Sequence, residues 1–171
     1  MYLADRARTD ARAGLFALLA VVIVYPLLWE ATTTFHALSP RTSAWILLIA
    51  GCLLMAVAWR KSLHKVAWTI TLASLVLGLS LMFATKAIEA FTAVLLAFGG
   101  GTLWLTYGRR WHGLRWPAAF FADWAVVVMT IFITSPGEAP EGFRNLSPTL
   151  ALLLSMGLVV LYIGSFVFRI L

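Results

Sequence analysis

Long apolar runs alternate with short charged segments along almost the whole chain. A transmembrane helix needs about 20 mostly apolar residues, with a working range of about 17–25. Backbone groups in lipid must be satisfied internally, and these runs are too uniformly apolar for alternating barrel strands, so each run predicts a helix. Six runs qualify, the second only just, and they cover residues 13–29, 44–59, 66–85, 90–108, 116–134 and 148–168.

This pattern predicts an all-α membrane protein, a six-helix transmembrane bundle that forms a single domain over residues 1–171. The connection between the third and fourth spans runs only from Thr85 to Glu89, which predicts that these spans form an antiparallel hairpin. Since the chain stops two residues after Arg169, we expect either a minimal membrane protein or the N-terminal part of a longer one.

Composition supports the membrane class. The chain is 62% hydrophobic and 12% charged, whereas a soluble domain averages about 45–50% apolar and about 25% charged residues. The net charge is +6, but the 13 Lys and Arg residues are scattered through short loops and form no long basic stripe, so nucleic acid is not an expected partner. The single cysteine, Cys52, excludes an internal disulfide.

The basic residues lie mainly on one predicted side of the membrane. Three fall on the other side, Arg41, Lys86 and Arg144. Ten share the first side: Arg6, Arg8, Arg12, Arg60, Lys61, Lys65, Arg109, Arg110, Arg115 and Arg169. By the positive-inside rule both termini are predicted to be cytoplasmic, in a bacterial-type inner membrane. Topology alone accounts for these basic loops, although they can also hold anionic lipid headgroups.

Asp123 is the one charged residue deep within an apolar run. A charge near the middle of a span costs about 2.5–3.5 kcal/mol on insertion scales, so such residues usually face the bundle interior and often mark function. Asp123 lies eight residues beyond Arg115, or about 12 Å along a helix, which is close to the midplane. It shares a small or polar stripe with Ala119, Thr130 and Thr134, and we expect this stripe to be buried.

Other polar or small residues occur at a similar depth in other spans. Counting about eight residues from the predicted cytoplasmic end of each of these spans reaches Ser74, the Gly99–Gly101 run and Tyr162. We hypothesise a polar layer in which Asp123 is protonated or accepts hydrogen bonds from hydroxyl donors. The candidate intramembrane polar or proton site comprises Asp123, Ser74, Gly100, Tyr162 and Thr130. A structural role for Asp123, in which its hydrogen bond joins two helices, is favoured over the binding or relay of a proton or cation.

The triple glycine and the histidines also admit a functional interpretation. A glycine break would expose backbone carbonyls to a ligand, but close helix packing is the favoured explanation. The histidines His36, His64 and His112 lie in loops on both sides, so we expect no metal site. The sequence lacks the serine-hydrolase elbow, the His-Glu-x-x-His motif and the phosphate-binding loop, and we predict no catalytic residue and no cofactor.

In size, helix layout and the acid in span five, the chain resembles small six-span bacterial membrane proteins of the acid-stress type. It is also similar to the membrane-embedded half that many bacterial proteins place before a further domain. The favoured function is a non-enzymatic sensory, anchoring or assembly module, whose partners are the lipid bilayer and either a second copy or another membrane protein. The alternatives are a small proton- or cation-linked transporter or channel that uses Asp123, and a membrane enzyme acting on a lipid substrate.

Overall fold

The described part of the chain folds into six long helices. The computed structural model describes residues 2–109, 112–134 and 147–170. Within these ranges it describes the side chains of residues 12, 14–106, 113–134 and 147–167. Its helices are α1 (Tyr2–Thr33), α2 (Pro40–Arg60), α3 (His64–Thr85), α4 (Ile88–Arg109), α5 (Arg115–Thr134) and α6 (Pro148–Ile170), with a short 3-10 turn at His112–Leu114 before α5. All six helices are long and apolar enough to cross a membrane. Each predicted run lies inside one helix, so the all-α prediction is confirmed.

The helices extend past the apolar runs because a charged residue does not end a helix. Helix α2 begins at Pro40 and not at residue 44, and Ser39 caps it by accepting a hydrogen bond from the Thr42 backbone N–H at 3.2 Å. Helix α6 begins with the same Ser-Pro pair, where the Leu150 N–H donates to Ser147 Oγ at 3.4 Å. Arg110 and Trp111, which belong to the predicted loop before the fifth span, and the connector 135–146 lie outside the described residues.

Helices α3 and α4 form the centre of the bundle. Helix α3 ends at Thr85 and α4 begins at Ile88, and the two pack against each other, which confirms the predicted hairpin. The turn is made possible by Lys86, which has a left-handed backbone with φ 57°. Helices α1 and α2 pack against α3, while α5 and α6 pack against α4.

The core consists of apolar side chains that α3 and α4 share with their neighbours, including the fully buried Ile70, Leu75 and Phe91. Hydroxyl pairs add cross-links: Thr32 on α1 and Ser43 on α2 are both buried, with their oxygens 2.7 Å apart. Large apolar side chains also cover the outward faces of the helices. Such an exterior fits a bundle that lies in lipid.

Helix α6 is the least enclosed of the six. Only 6% of its most apolar 18-residue window is buried, against 50% for α3 and α4. Ala151 is its one buried residue among those whose side chains are described. Helix α6 therefore depends on a few specific contacts with α4 and α5 for its position.

A polar pair between helices five and six

Asp123 on α5 and Tyr162 on α6 form a hydrogen-bonded pair. The Tyr162 hydroxyl donates to the Asp123 carboxylate and lies 2.9 Å from Oδ1 and 2.8 Å from Oδ2. Asp123 is eight residues from Arg115, where α5 begins, and Tyr162 is eight residues from Ile170, where α6 ends. Both residues are therefore about 12 Å along their helices from the same end of the bundle.

The close approach of α6 to α4 sets the position of Tyr162. A Cβ atom at Gly100 would lie 2.5 Å from Cδ1 of Leu161, and one at Gly157 would lie 3.2 Å from Cδ2 of Leu96. Both distances show that a glycine is in contact with a side chain of the other helix. Gly100 thus contributes space for Leu161, the neighbour of Tyr162, and its contact with the polar pair is indirect.

The pair lies at the surface of the bundle and not in its interior. Tyr162 is 40% exposed and Asp123 is partly exposed. The next residue, Trp124, is 47% exposed and stacks on Phe120 with ring centroids 6.1 Å apart. Among the described residues, Tyr162 is the one side chain that bonds to the Asp123 carboxylate. A carboxylate accepts hydrogen bonds at about four lone-pair sites, so this one retains free acceptor capacity.

Ser74 belongs to a different pair. Its Oγ lies 2.5 Å from the hydroxyl oxygen of Tyr25 on α1, and both residues are buried. The single predicted polar layer is therefore divided into two hydrogen-bonded pairs, one joining α1 to α3 and one joining α5 to α6. Sequence reasoning missed Tyr25, although a lone phenol inside the otherwise apolar run 13–29 was the available signal.

Thr130 does not join either pair. Its hydroxyl donates to the backbone carbonyl of Val126 in the same helix at 2.8 Å, and Thr130 is exposed. The prediction that the stripe of Asp123, Thr130 and Thr134 is buried is wrong. The buried face of α5 is made of Ala118, Ala122, Ala125, Val126 and Met129. Alanines allow α4 to approach closely, and in lipid this packing gain decides which face is buried.

The glycine run in α4 serves packing. Helix α4 continues without interruption from Ile88 to Arg109, so a helix break that exposes carbonyls is excluded. A Cβ at Gly99 would lie 3.2 Å from the Ala118 carbonyl oxygen, which places the α4 and α5 backbones in close contact. A Cβ at Gly101 would meet no heavy atom within 4 Å, so this third glycine has no packing requirement.

The chemistry available to the Asp123–Tyr162 pair follows from its composition. A carboxylate that is partly exposed at this depth can accept another hydrogen bond, pair with a cationic side chain, or bind a proton or a small cation. Within the described part of the chain, no three His, Cys, Asp or Glu side chains are grouped as metal ligands would be. Comparison of this chain with protein-family models, with curated proteins and with solved structures found no match.

Proposed function

We propose that this chain is a non-enzymatic assembly module of a bacterial-type inner membrane, with six spans and both termini cytoplasmic. Its exposed α5–α6 face binds a partner transmembrane helix, and Asp123 pairs with a Lys or Arg side chain of that helix. One observation carries the proposal: the Asp123–Tyr162 pair is partly exposed on the outside of an otherwise apolar bundle.

The electrostatic argument concerns the carboxylate. A carboxylate near the midplane costs about 2.5–3.5 kcal/mol on insertion scales when it lacks compensation. A single tyrosine O–H supplies one donor, which the two carboxylate oxygens share. A cationic side chain from a partner would supply further donors and an opposite charge. Intramembrane ionisable residues commonly pair in this manner, and the pairing would offset the cost of placing Asp123 at that depth.

The shape argument concerns α6. This helix presents a long apolar surface, and its residues Val160, Ile163 and Phe166 are each more than half exposed. Lipid tails cover such a surface as well as a partner helix does, so apolar contact alone does not select a partner. The carboxylate beside it supplies the selection, because lipid tails offer no hydrogen-bond donor. Tyr162 holds Asp123 at the boundary between α5 and α6, where a third helix has access to it.

The test uses a synthetic apolar transmembrane peptide with one central lysine and a matched peptide with leucine at that position. Labelled protein and peptide are reconstituted in vesicles, and their association is measured by resonance energy transfer. We expect the lysine peptide to bind the wild-type protein, and to bind Asp123→Asn much more weakly. The leucine peptide should bind neither protein. Equal binding of the two peptides, or equal binding to the two proteins, would overturn the proposal.

A proton- or cation-linked transporter is the second candidate, and the same carboxylate favours it. The exposed edge of Asp123 has no cationic partner among the described residues, so a proton or cation has access to it. Flux assays in vesicles separate the two candidates. The assembly proposal expects no flux from either the wild type or Asp123→Asn. Flux that disappears in a folded Asp123→Asn protein would establish the transporter in its place.

The proposed orientation has its own test. Reporter fusions at His64 and at Glu138 should report opposite sides of the membrane, with the His64 fusion in the cytoplasm. The same compartment at both positions would exclude the six-span arrangement, and opposite compartments with Glu138 inside would reverse it.

A further inference from the structure

A long apolar cleft opens between α2 and α4, at the end of the bundle opposite to Arg115. Its volume is about 430 Å³, and α6 closes one side of it at Leu150. We call it the Arg41 groove, and the residues that define it here are Arg41, Trp45, Leu48, Glu89, Ala93 and Ala97. Ligand cavities typically measure about 300–1,000 Å³, so its size is that of a binding site.

The shape of the groove follows from side-chain size. Ala90, Ala93 and Ala97 lie three or four residues apart and thus on one face of α4, where their short side chains leave a furrow. Trp45 and Leu48 of α2 form the facing wall. From Glu89 to Ala97 the groove follows α4 for eight residues, or about 12 Å. A narrow apolar furrow parallel to the helices fits an extended alkyl chain.

The mouth of the groove carries two opposite charges. Arg41 is exposed in the first turn of α2, and Glu89 is partly buried in the first turn of α4. Glu89 Oε1 accepts a hydrogen bond from the Ser147 backbone N–H at 2.6 Å. Within the described part of the chain, Arg41 and Glu89 do not form an ion pair with each other, so each remains available to a ligand of opposite charge.

We infer that the Arg41 groove binds one phospholipid whose headgroup carries both a phosphate and a primary ammonium. The phosphate pairs with the Arg41 guanidinium, which matches it in charge and in hydrogen-bond donors. The ammonium donates to the Glu89 carboxylate, and one acyl chain lies along the alanines of α4. Charge complementarity selects this headgroup, because a purely anionic headgroup would place its negative charge beside Glu89 without compensation. The inference does not involve Asp123 and goes beyond the proposed assembly function.

Native mass spectrometry of the protein, released from detergent micelles in the instrument, measures how much lipid it retains. The probes are phosphatidylethanolamine, phosphatidylcholine and phosphatidylglycerol with identical acyl chains. We expect phosphatidylethanolamine to be retained most strongly. Arg41→Gln should weaken its binding about tenfold, the equivalent of one charge-assisted hydrogen bond. Arg60→Gln, which changes an exposed arginine at the other end of α2, is the matched control and should have no effect.

Two further variants test the headgroup and the tail separately. Glu89→Gln keeps an oxygen that can accept the Ser147 N–H, so it should remove the preference for ethanolamine over choline without detaching α6. Ala93→Phe fills the groove and should reduce the retention of all three lipids, whereas Ala84→Phe on the exposed face of α3 should not. Unchanged retention in folded Ala93→Phe, or the same headgroup preference in Glu89→Gln, would overturn the inference.

Discussion

Removal of the Tyr162 hydroxyl should loosen helix α6. In the structure this hydroxyl is the donor that the described part of the chain supplies to the Asp123 carboxylate. Because only 6% of the apolar window of α6 is buried, little buried surface compensates for its loss. We therefore expect Tyr162→Phe to remove a larger fraction of the free energy that holds α6 in place than a similar change would in an enclosed helix.

The magnitude follows from two opposing considerations. A hydrogen bond to an ionised group contributes about 1.5–3 kcal/mol to stability. Interhelical hydrogen bonds in membrane proteins average about 0.6 kcal/mol and reach about 1.7, because the separated helices find other partners. The short distances and the charged acceptor place the contribution of this pair near the upper end of the membrane range, and its partial exposure keeps the contribution from exceeding that range. A loss of about 1.4 kcal/mol would accelerate local opening about tenfold.

Amide hydrogen exchange in detergent micelles measures this opening. We expect the amides of α6 to exchange about tenfold faster in Tyr162→Phe, with α3 unchanged. In an Asp123→Leu background the same substitution should have no effect, because its partner is already absent. Tyr25→Phe is the control, since it removes the hydroxyl that pairs with Ser74 and should affect α1 and α3 instead. Equal acceleration with and without Asp123 would refute the reasoning.

Two further predictions concern the core and use thermal unfolding in detergent. Gly51→Ala should cost about 1–3 kcal/mol of stability by overpacking, because the new Cβ would lie 2.7 Å from Cε2 of the buried Phe98. Gly101→Ala is the control and should not destabilise the protein, because its Cβ would meet no heavy atom within 4 Å. Equal losses in the two variants would contradict this prediction. Thr71 is fully buried, and its hydroxyl has no hydrogen-bond partner among the described residues. Thr71→Val should therefore preserve or raise stability, whereas a loss above about 1 kcal/mol would indicate a missed partner.

The existence and order of the six helices could be predicted from the sequence because each apolar run is long enough to form a complete span by itself. Their ends were less predictable. Counting apolar residues placed the start of the second span at residue 44, whereas α2 begins at Pro40 with Ser39 as its cap. Charge limits how far a helix penetrates lipid, but capping and proline geometry determine where the helix starts.

The faces of the helices could not be predicted in the same way. In a soluble helix, polarity marks the exposed side, but in lipid both sides of the helix are apolar and small size decides the packing. For this reason Ala118 and Ala122 are buried, while Thr130 satisfies its own hydroxyl on the helix backbone and stays outside.

The sequence by itself determined that Asp123 lies within an apolar run long enough to span a membrane, where a carboxylate is costly. It also placed Tyr162 at the same depth. Only the tertiary structure decided that α6 lies beside α5, that Tyr162 contacts Asp123 and Ser74 contacts Tyr25, and that the first pair is exposed. The physical reason is that depth depends on the position of one residue along its own helix, whereas contact depends on how two helices are rotated and which glycines let them approach.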